Sequence, residues 1–383
     1  MKKRILAGVL AAAMVMSMTA CGGSGQEQAS AGGEVASESS AADSKAEAGS
    51  TDTGEGYELA LVIDVGTIDD KSFNQGSWEG IEKYGNEKGV SYKYYKSAEA
   101  TTDAYRETIE LAIEGGAKVV VCPGYLFETP IYDVQEKYPD VKFILIDGEP
   151  HDEAYENYKT AENTMAVLYQ EEQAGFLAGY AAVKDGYTDL GFMGGMALPA
   201  VIRYGYGYLA GADYAAEEMG ITVDMAYTYT GSFDATPEAQ TMAASWYQAG
   251  TEVIFSCGGS VGNSVMAAAE ASENAKVIGV DVDQSSESET VITSAMKMLS
   301  NSVYAAVESA YNGEFKGGET AVFDIMNDGV GIAMDTAKWN SFTSDDYDAI
   351  YVKLASGQIE IDADTEKEVT DLGLKNVTVN YVQ

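Results

Sequence analysis

Residues 59–63 read LALVI and residues 64–74 read DVGTIDDKSFN. A wholly apolar run ends on a carboxylate, passes through a polar loop, and enters a helix that opens with an aromatic ring and an amide. An apolar run bounded this way is a strand buried on both faces. Its carboxyl end is where open α/β sheets hold ligands. Asp64, Phe73 and Asn74 delivered there together suit a flat, hydroxylated small molecule.

Outward from this stretch the same pattern recurs. Strands are predicted over 59–64, 90–95, 118–123 and 142–147. A second series follows over 189–195, 221–229, 252–258 and 276–281. Helical stretches lie between them. In 104–114, Tyr105, Ile109, Ala112 and Ile113 share one face, and Gly115-Gly116 ends the turn. Apolar strands alternating with helices imply parallel sheets covered on both sides. Two series of similar spacing imply two doubly wound α/β lobes. The tail returns to strand-like patterns at FDIMN, GIAM, EIDAD and VTVNYV around one helix near 344–356, as expected of a chain that crosses between lobes more than once. The expected division is 57–163 with about 286–318 for the first lobe, and 164–285 with about 319–383 for the second.

Asp64, Asp147 and Asp281 each end a predicted strand. One strand-end Asp ordinarily caps the next loop. Three of them, in two sheets, favour a shared cleft, where carboxylates accept hydroxyl donors. For Asp147 and Asp281 the ligand reading leads; for Asp64 the two stand even. Ser72 and Gln75 fit a capping box. That leaves Phe73 unexplained, since a lone Phe is more often core. Asp69-Asp70 reads as acid placed on a helix dipole. CGGSVGNS (257–264) joins a strand to a helix, and its glycines let backbone N–H groups approach a ligand. It is no phosphate loop. GYGYLAG (205–211) reads as packing glycines within a helix. His151, in a polar loop, reads as solvated. One His and no CxxC exclude a Cys/His zinc site. Neither a nucleophile elbow nor HExxH is present. No metal, cofactor or reaction is expected.

The chain has 383 residues, with 23 Lys+Arg against 61 Asp+Glu and a net charge of -38. That charge opposes nucleic acid, anionic lipid and strongly anionic ligands. Residues 1–20 form a secretory signal: Lys2, Lys3 and Arg4, then an apolar run too short to span a bilayer. Met18-Thr19-Ala20-Cys21 looks like a lipobox, which marks Cys21 for lipidation. Residues 22–56 are Gly, Ser, Ala and acid, without aromatics, and read as a disordered tether. Cys122 and Cys257 each end a buried strand. A disulfide between them is possible, but two separate thiols are favoured because the strands belong to different lobes.

Several stretches resemble the basic membrane protein family of lipoproteins, the purine-nucleoside receptor type of ABC-transporter binding protein. They are DVGTIDDKSFNQGSWEG (64–80), EEQAGFLAGYAA (171–182), GFMGGMALPAVIRYGYGYLAGADY (191–214), GSF (231–233), VIGVDVDQ (277–284) and VITSAMK (291–297). The resemblance implies a type I periplasmic-binding-protein fold with a hinged cleft. It implies a base sandwiched by Phe73 and Phe233, with Asn74 and Asp64 on the base edge. Asp147, Asp281 and Lys297 would lie near the ribose, and Gly258 and Gly259 at the cleft. It further implies a monomeric, lipid-anchored protein at the outer face of the membrane that delivers a nucleoside to a permease. The chain departs from the family after GSF, where DATPEAQ (234–240) lacks the usual lysines, and in the turn at 257–264. A sugar, a flavin-like ring, a signalling ligand, or a surface sensor or adhesin role are the alternatives.

Overall fold

The computed structural model describes residues 57–382. The signal, Cys21 and the tether lie outside the described residues. The chain begins with β1 (Leu59–Ile63), α1 (Phe73–Lys88), β2 (Tyr92–Lys96), α2 (Thr102–Glu114), β3 (Val119–Pro123), α3 (Glu128–Gln135), β4 (Lys142–Ile146) and β5 (Thr164–Tyr169). It continues through α4 (Glu171–Lys184), β6 (Asp189–Gly194), α5 (Pro199–Met219), β7 (Val223–Tyr229), α6 (Pro237–Ala249), β8 (Val253–Cys257), α7 (Val261–Glu270), β9 (Lys276–Asp281) and β10 (Val291–Lys297). It closes with α8 (Leu299–Asn312), β11 (Thr320–Phe323), β12 (Val330–Ile332), α9 (Ser344–Ala355) and β13 (Val377–Tyr381).

These strands build two sheets. One runs β2-β1-β3-β4-β5-β11, the other β13-β7-β6-β8-β9-β10-β12. All pairs are parallel except β10 with β12. Every residue of β1, β3 and β8 is buried, because helices cover both faces of a parallel sheet. Two doubly wound lobes were expected, and two are found.

The strand membership corrects the expected boundaries. β5 was placed in the second lobe and β10 in the first; each belongs to the other sheet. β11 also joins the first sheet, beside β5. The chain therefore crosses between lobes after β5, after β10 and after β11. Backbone bonds tie the crossings together: the Gln170 N–H donates to Phe323 O at 2.9 Å, and the Met298 N–H to Gly329 O at 2.9 Å. In the tail, 360–364 forms no strand.

α4 and α5 touch through their backbones. A Cβ on Gly175 or Gly179 would strike the carbonyls of Tyr204 and Tyr208, and one on Gly207 or Gly211 those of Glu172 and Phe176. The packing role read for 205–211 is therefore observed for Gly207 and Gly211. Two further readings resolve. Cys122 and Cys257 are separate buried thiols, pushed up by burial. His151 is not solvated. It is buried, its Nε2 lies 3.1 Å from Glu128 Oε2, and its ring stacks on Tyr155 at 4.1 Å.

Candidate functional site

In both lobes the strand order reverses between the first strand and the third, at β1/β3 and at β6/β8. Ligands of open α/β sheets bind at such reversals, beyond the carboxyl ends. The first reversal is edged by Asp64 and Gly124. Gly124 has φ of 109°, and a Cβ there would lie 3.8 Å from the Phe73 ring. The second is edged by Gly194-Gly195 and Cys257-Gly258-Gly259. The Gly195 N–H donates to Cys257 O at 2.9 Å. A Cβ on Gly195 would run into the Phe233 ring, and one on Gly259 would stand 3.6 Å from Phe233 Cβ. Each reversal thus carries one phenylalanine.

Around Phe73 the chain is held by Asp70, not by the expected capping box. The Ser72 side chain makes no cap, and Gln75 bonds Glu79 instead. Asp70 Oδ1 accepts the N–H groups of Ser72 (2.9 Å) and Gln75 (3.1 Å), and Oδ2 that of Asn74 (3.0 Å). Burial raises its carboxyl to about 6, against the lowering pull of those bonds. Asp64 Oδ1 accepts the Gly66 N–H at 2.8 Å, so the turn role is real. A Cβ on Gly66 would come 2.8 Å from Asp64 Oδ1 and 3.0 Å from Asn74 Nδ2, so acid and amide border the same spot.

The freed Ser72 hydroxyl crosses the cleft. It donates to Asp281 Oδ2 at 2.5 Å, and Gln284 Nε2 donates to Lys71 O at 2.7 Å. These bonds join the start of α1 to the end of β9. Asp147 and Asp281 adopt left-handed backbone with φ of 60° and 64°. Asp tolerates this region better than most residues, and strain of this kind concentrates at binding sites.

Behind Phe73 lies a buried charge cluster. Lys297, ending β10 and 3% exposed, pairs with Asp147 Oδ2. Its Nζ stands 3.0 Å from Glu171 Oε1. Arg203 donates from Nε to Glu171 Oε2 at 2.5 Å and approaches Glu172 at 4.0 Å. The ammonium also sits 5.2, 5.1 and 5.6 Å from the ring centres of Phe73, Tyr169 and Tyr204, within cation–π range. Burial pulls Lys297 down, but Asp147, Glu171 and Asp281 outweigh it and hold the ammonium above the usual lysine range. Burial raises Asp147 to about 6 despite Lys297, and also raises Asp281. Glu171 is held low because Lys297 and Arg203 overcome its burial.

The structure therefore brings together Asp64, Phe73 and Asn74 on one edge, with Asp147, Asp281 and Lys297 joined across the lobes. Phe233, Gly258 and Gly259 form the second edge. Sequence reasoning missed Glu171 and Arg203; it set Asp70 at the helix start, where it is found, and read Ser72 as a cap rather than as a link to Asp281. The adjacent acids at 171–172, between an apolar strand and an apolar helix, were the available signal for Glu171. Among the described residues no His/Cys/Asp/Glu group is arranged to hold a metal ion, and no helix is long and apolar enough to cross a membrane.

Two doubly wound parallel lobes with three crossings between them define a type I periplasmic-binding-protein fold. A crystal structure of ABC transporter solute-binding proteins from Aeropyrum pernix K1 has that fold, with TM-score 0.69 and 24% identity over 79% of this chain and 92% of that one. The sequence model of the family described as "ABC transporter substrate-binding protein PnrA-like" matches residues 57–365, and the chain belongs to that family. It is a substrate-binding protein, not an enzyme. Among relatives, "ABC transporter nucleoside-binding protein BmpA" of Lactococcus lactis subsp. cremoris is 29% identical over 73% of this chain and 82% of its own length. A protein of Pyrococcus furiosus named as an uncharacterized lipoprotein is 30% identical over 70% of this chain and 69% of its own.

Proposed function

We propose that this chain captures a purine nucleoside between its lobes and hands it to a membrane permease for import. The observation that carries the reading is the pairing of the reversals: each is edged by one phenylalanine, and a carboxylate–lysine cluster joins them. Phe73 and Phe233 supply faces for a base. Asp64 and Asn74 supply an acceptor and a donor for its edge. Asp147, Asp281 and Lys297 suit ribose hydroxyls; Asp147 Oδ1 is buried without a hydrogen-bond partner. Gly258 and Gly259 let the backbone approach. The name of the Lactococcus relative supports the ligand class.

Magnitudes permit it. Stacking contributes ~1–3 kcal/mol per base, and hydrogen bonds to charged groups ~1.5–3 kcal/mol each. Two faces and two or three such bonds reach roughly 5–15 kcal/mol gross, and micromolar binding needs about 8 kcal/mol net of ordering costs. Excess buried carboxylate disfavours a phosphate, so the ligand is the nucleoside rather than the nucleotide. Closure follows because only the closed state offers both edges at once. Cys21 as a lipid anchor would hold the protein, acting as a monomer, at the outer face of the membrane beside the permease.

Thermal unfolding of the full-length protein with inosine, guanosine, adenosine, cytidine, uridine, riboflavin and ribose tests this. A native-state ligand raises the midpoint by mass action. A rise with purine nucleosides and none with ribose is expected. A rise with ribose or riboflavin alone would replace the reading with a sugar or flavin-like ligand.

A further inference from the structure

The two stretches EEQAGFLAGYAA (171–182) and VIRYGYGYLAG (201–211) contribute no residue to the ligand contacts above, yet their first charged groups meet behind the site. Glu171 is the first residue of α4, immediately beyond the β5 crossing, and is fully buried. Its two oxygens serve different cations. Oε2 accepts from Arg203 Nε at 2.5 Å, and Oε1 stands 3.0 Å from Lys297 Nζ as an ion pair without a directed hydrogen bond. The backbone of Arg203 is fixed relative to that of Glu171, because the glycines of α4 and α5 hold those helices in close contact one turn further on.

We propose that Glu171, clamped by Arg203, is a positioning residue for Lys297. Lys297 reaches only Oδ2 of Asp147 and leaves Oδ1 buried and unpartnered. An ammonium with a single carboxylate partner would be free to settle between both oxygens of that partner. With Glu171 drawing it from the other side, Lys297 stands between two acids, and Asp147 keeps one oxygen for a ligand hydroxyl. The same placement keeps the ammonium against Phe73 and Tyr169. Because Glu171 follows the crossing residue Gln170, any change in lobe angle moves Glu171 relative to Asp147. Lys297 then fits between them only at one lobe setting. This inference rests on the nucleoside reading for its ligand, but not for its geometry.

The test uses full-length protein with 15N-labelled lysine. Glu171→Gln is expected to weaken purine-nucleoside affinity at least about tenfold, as for truncation of a buried charge pair, and to shift the Lys297 Nζ resonance at fixed neutral pH. Glu171→Asp should recover part of both. Arg203→Gln, which spares the Glu171–Lys297 pair but unclamps it, should show the same changes at smaller size, and serves should Glu171→Gln not fold. An unchanged Lys297 Nζ resonance in both variants, or affinity within about twofold of wild type, overturns the proposal. If wild type binds no nucleoside, the ligand reading fails separately, and the Lys297 Nζ resonance alone decides the positioning role.

Discussion

The two lobes share a strand order but edge their common cleft by different means. On the first edge, Asp64, Phe73, Asn74 and the Asp70 that organises them come from one loop-and-helix start of eleven residues. On the second, Gly195, Phe233, Gly258, Asp281 and Lys297 come from five separate strand ends and loops, and their charges are balanced by Glu171 and Arg203 from two helices. Residues 64–74 of the first edge are a local structure that backbone N–H groups can hold by themselves, while Gly124 and Asp147 join it from just beyond β3 and β4. The second exists only once the lobe has folded. Local edges can vary with little cost to stability, whereas distributed ones couple ligand contacts to the fold.

Variants separate the two. The largest effect is expected for Lys297→Met, which leaves Asp147, Glu171 and Asp281 without their shared cation. Loss of one partner of a buried pair costs about 3–5 kcal/mol, visible as a lower urea midpoint together with lost binding. Unaltered stability would mean that the second edge is as local as the first. Next comes Gly207→Ala, which forces α4 from α5 at the Glu172 carbonyl; overpacking of this kind costs roughly 1–3 kcal/mol. It should also disturb Lys297 although it touches no ligand residue. Phe73→Ala should cost ~1–3 kcal/mol of nucleoside affinity with little change in melting temperature. A large fall in melting temperature instead would return Phe73 to the core. Asp70→Ala removes a helix cap and should cost about 1 kcal/mol.

Acidity gives the smallest signal. Burial raises Glu172 from 4.5 to about 7, with Glu171 adding and Arg203 opposing. A carboxyl raised in the folded state binds its proton more tightly there than when unfolded. Its contribution is present below about 4.5 and is lost as pH rises toward about 7. Glu172→Gln should therefore flatten the fall in stability across that interval, measured by urea unfolding at successive pH. Equal slopes for variant and wild type would show that Glu172 is ionised throughout.

What was legible in the sequence follows the same division. The strand–loop–helix of residues 59–74 could be read at sight, because its signals are neighbours. The alternation of elements likewise gave both lobes. Lobe membership of β5 and β10 could not be read, since both are equally apolar and only the open edge of a sheet selects between them. The capping box failed for a related reason. Ser72 and Gln75 satisfy the local rule, but the Ser72 hydroxyl is claimed by Asp281 from across the cleft, and Asp70 offers the stronger acceptor for the helix start. His151 looked solvated because its partner, Glu128, lies far back in the chain at the start of α3. Arg203 sits just before the run read as packing glycines, and its role appears only when those glycines bring α5 against α4.

The account turns on a neutral purine nucleoside held between the edges of two lobes. Calorimetric titration of the full-length protein with inosine, and in parallel with inosine 5′-phosphate, tests it most directly. The expected result is micromolar or tighter binding of inosine and markedly weaker binding of the phosphate. Equal or tighter binding of the phosphate, or no heat from inosine with protein shown to be free of carried-over ligand, would contradict it.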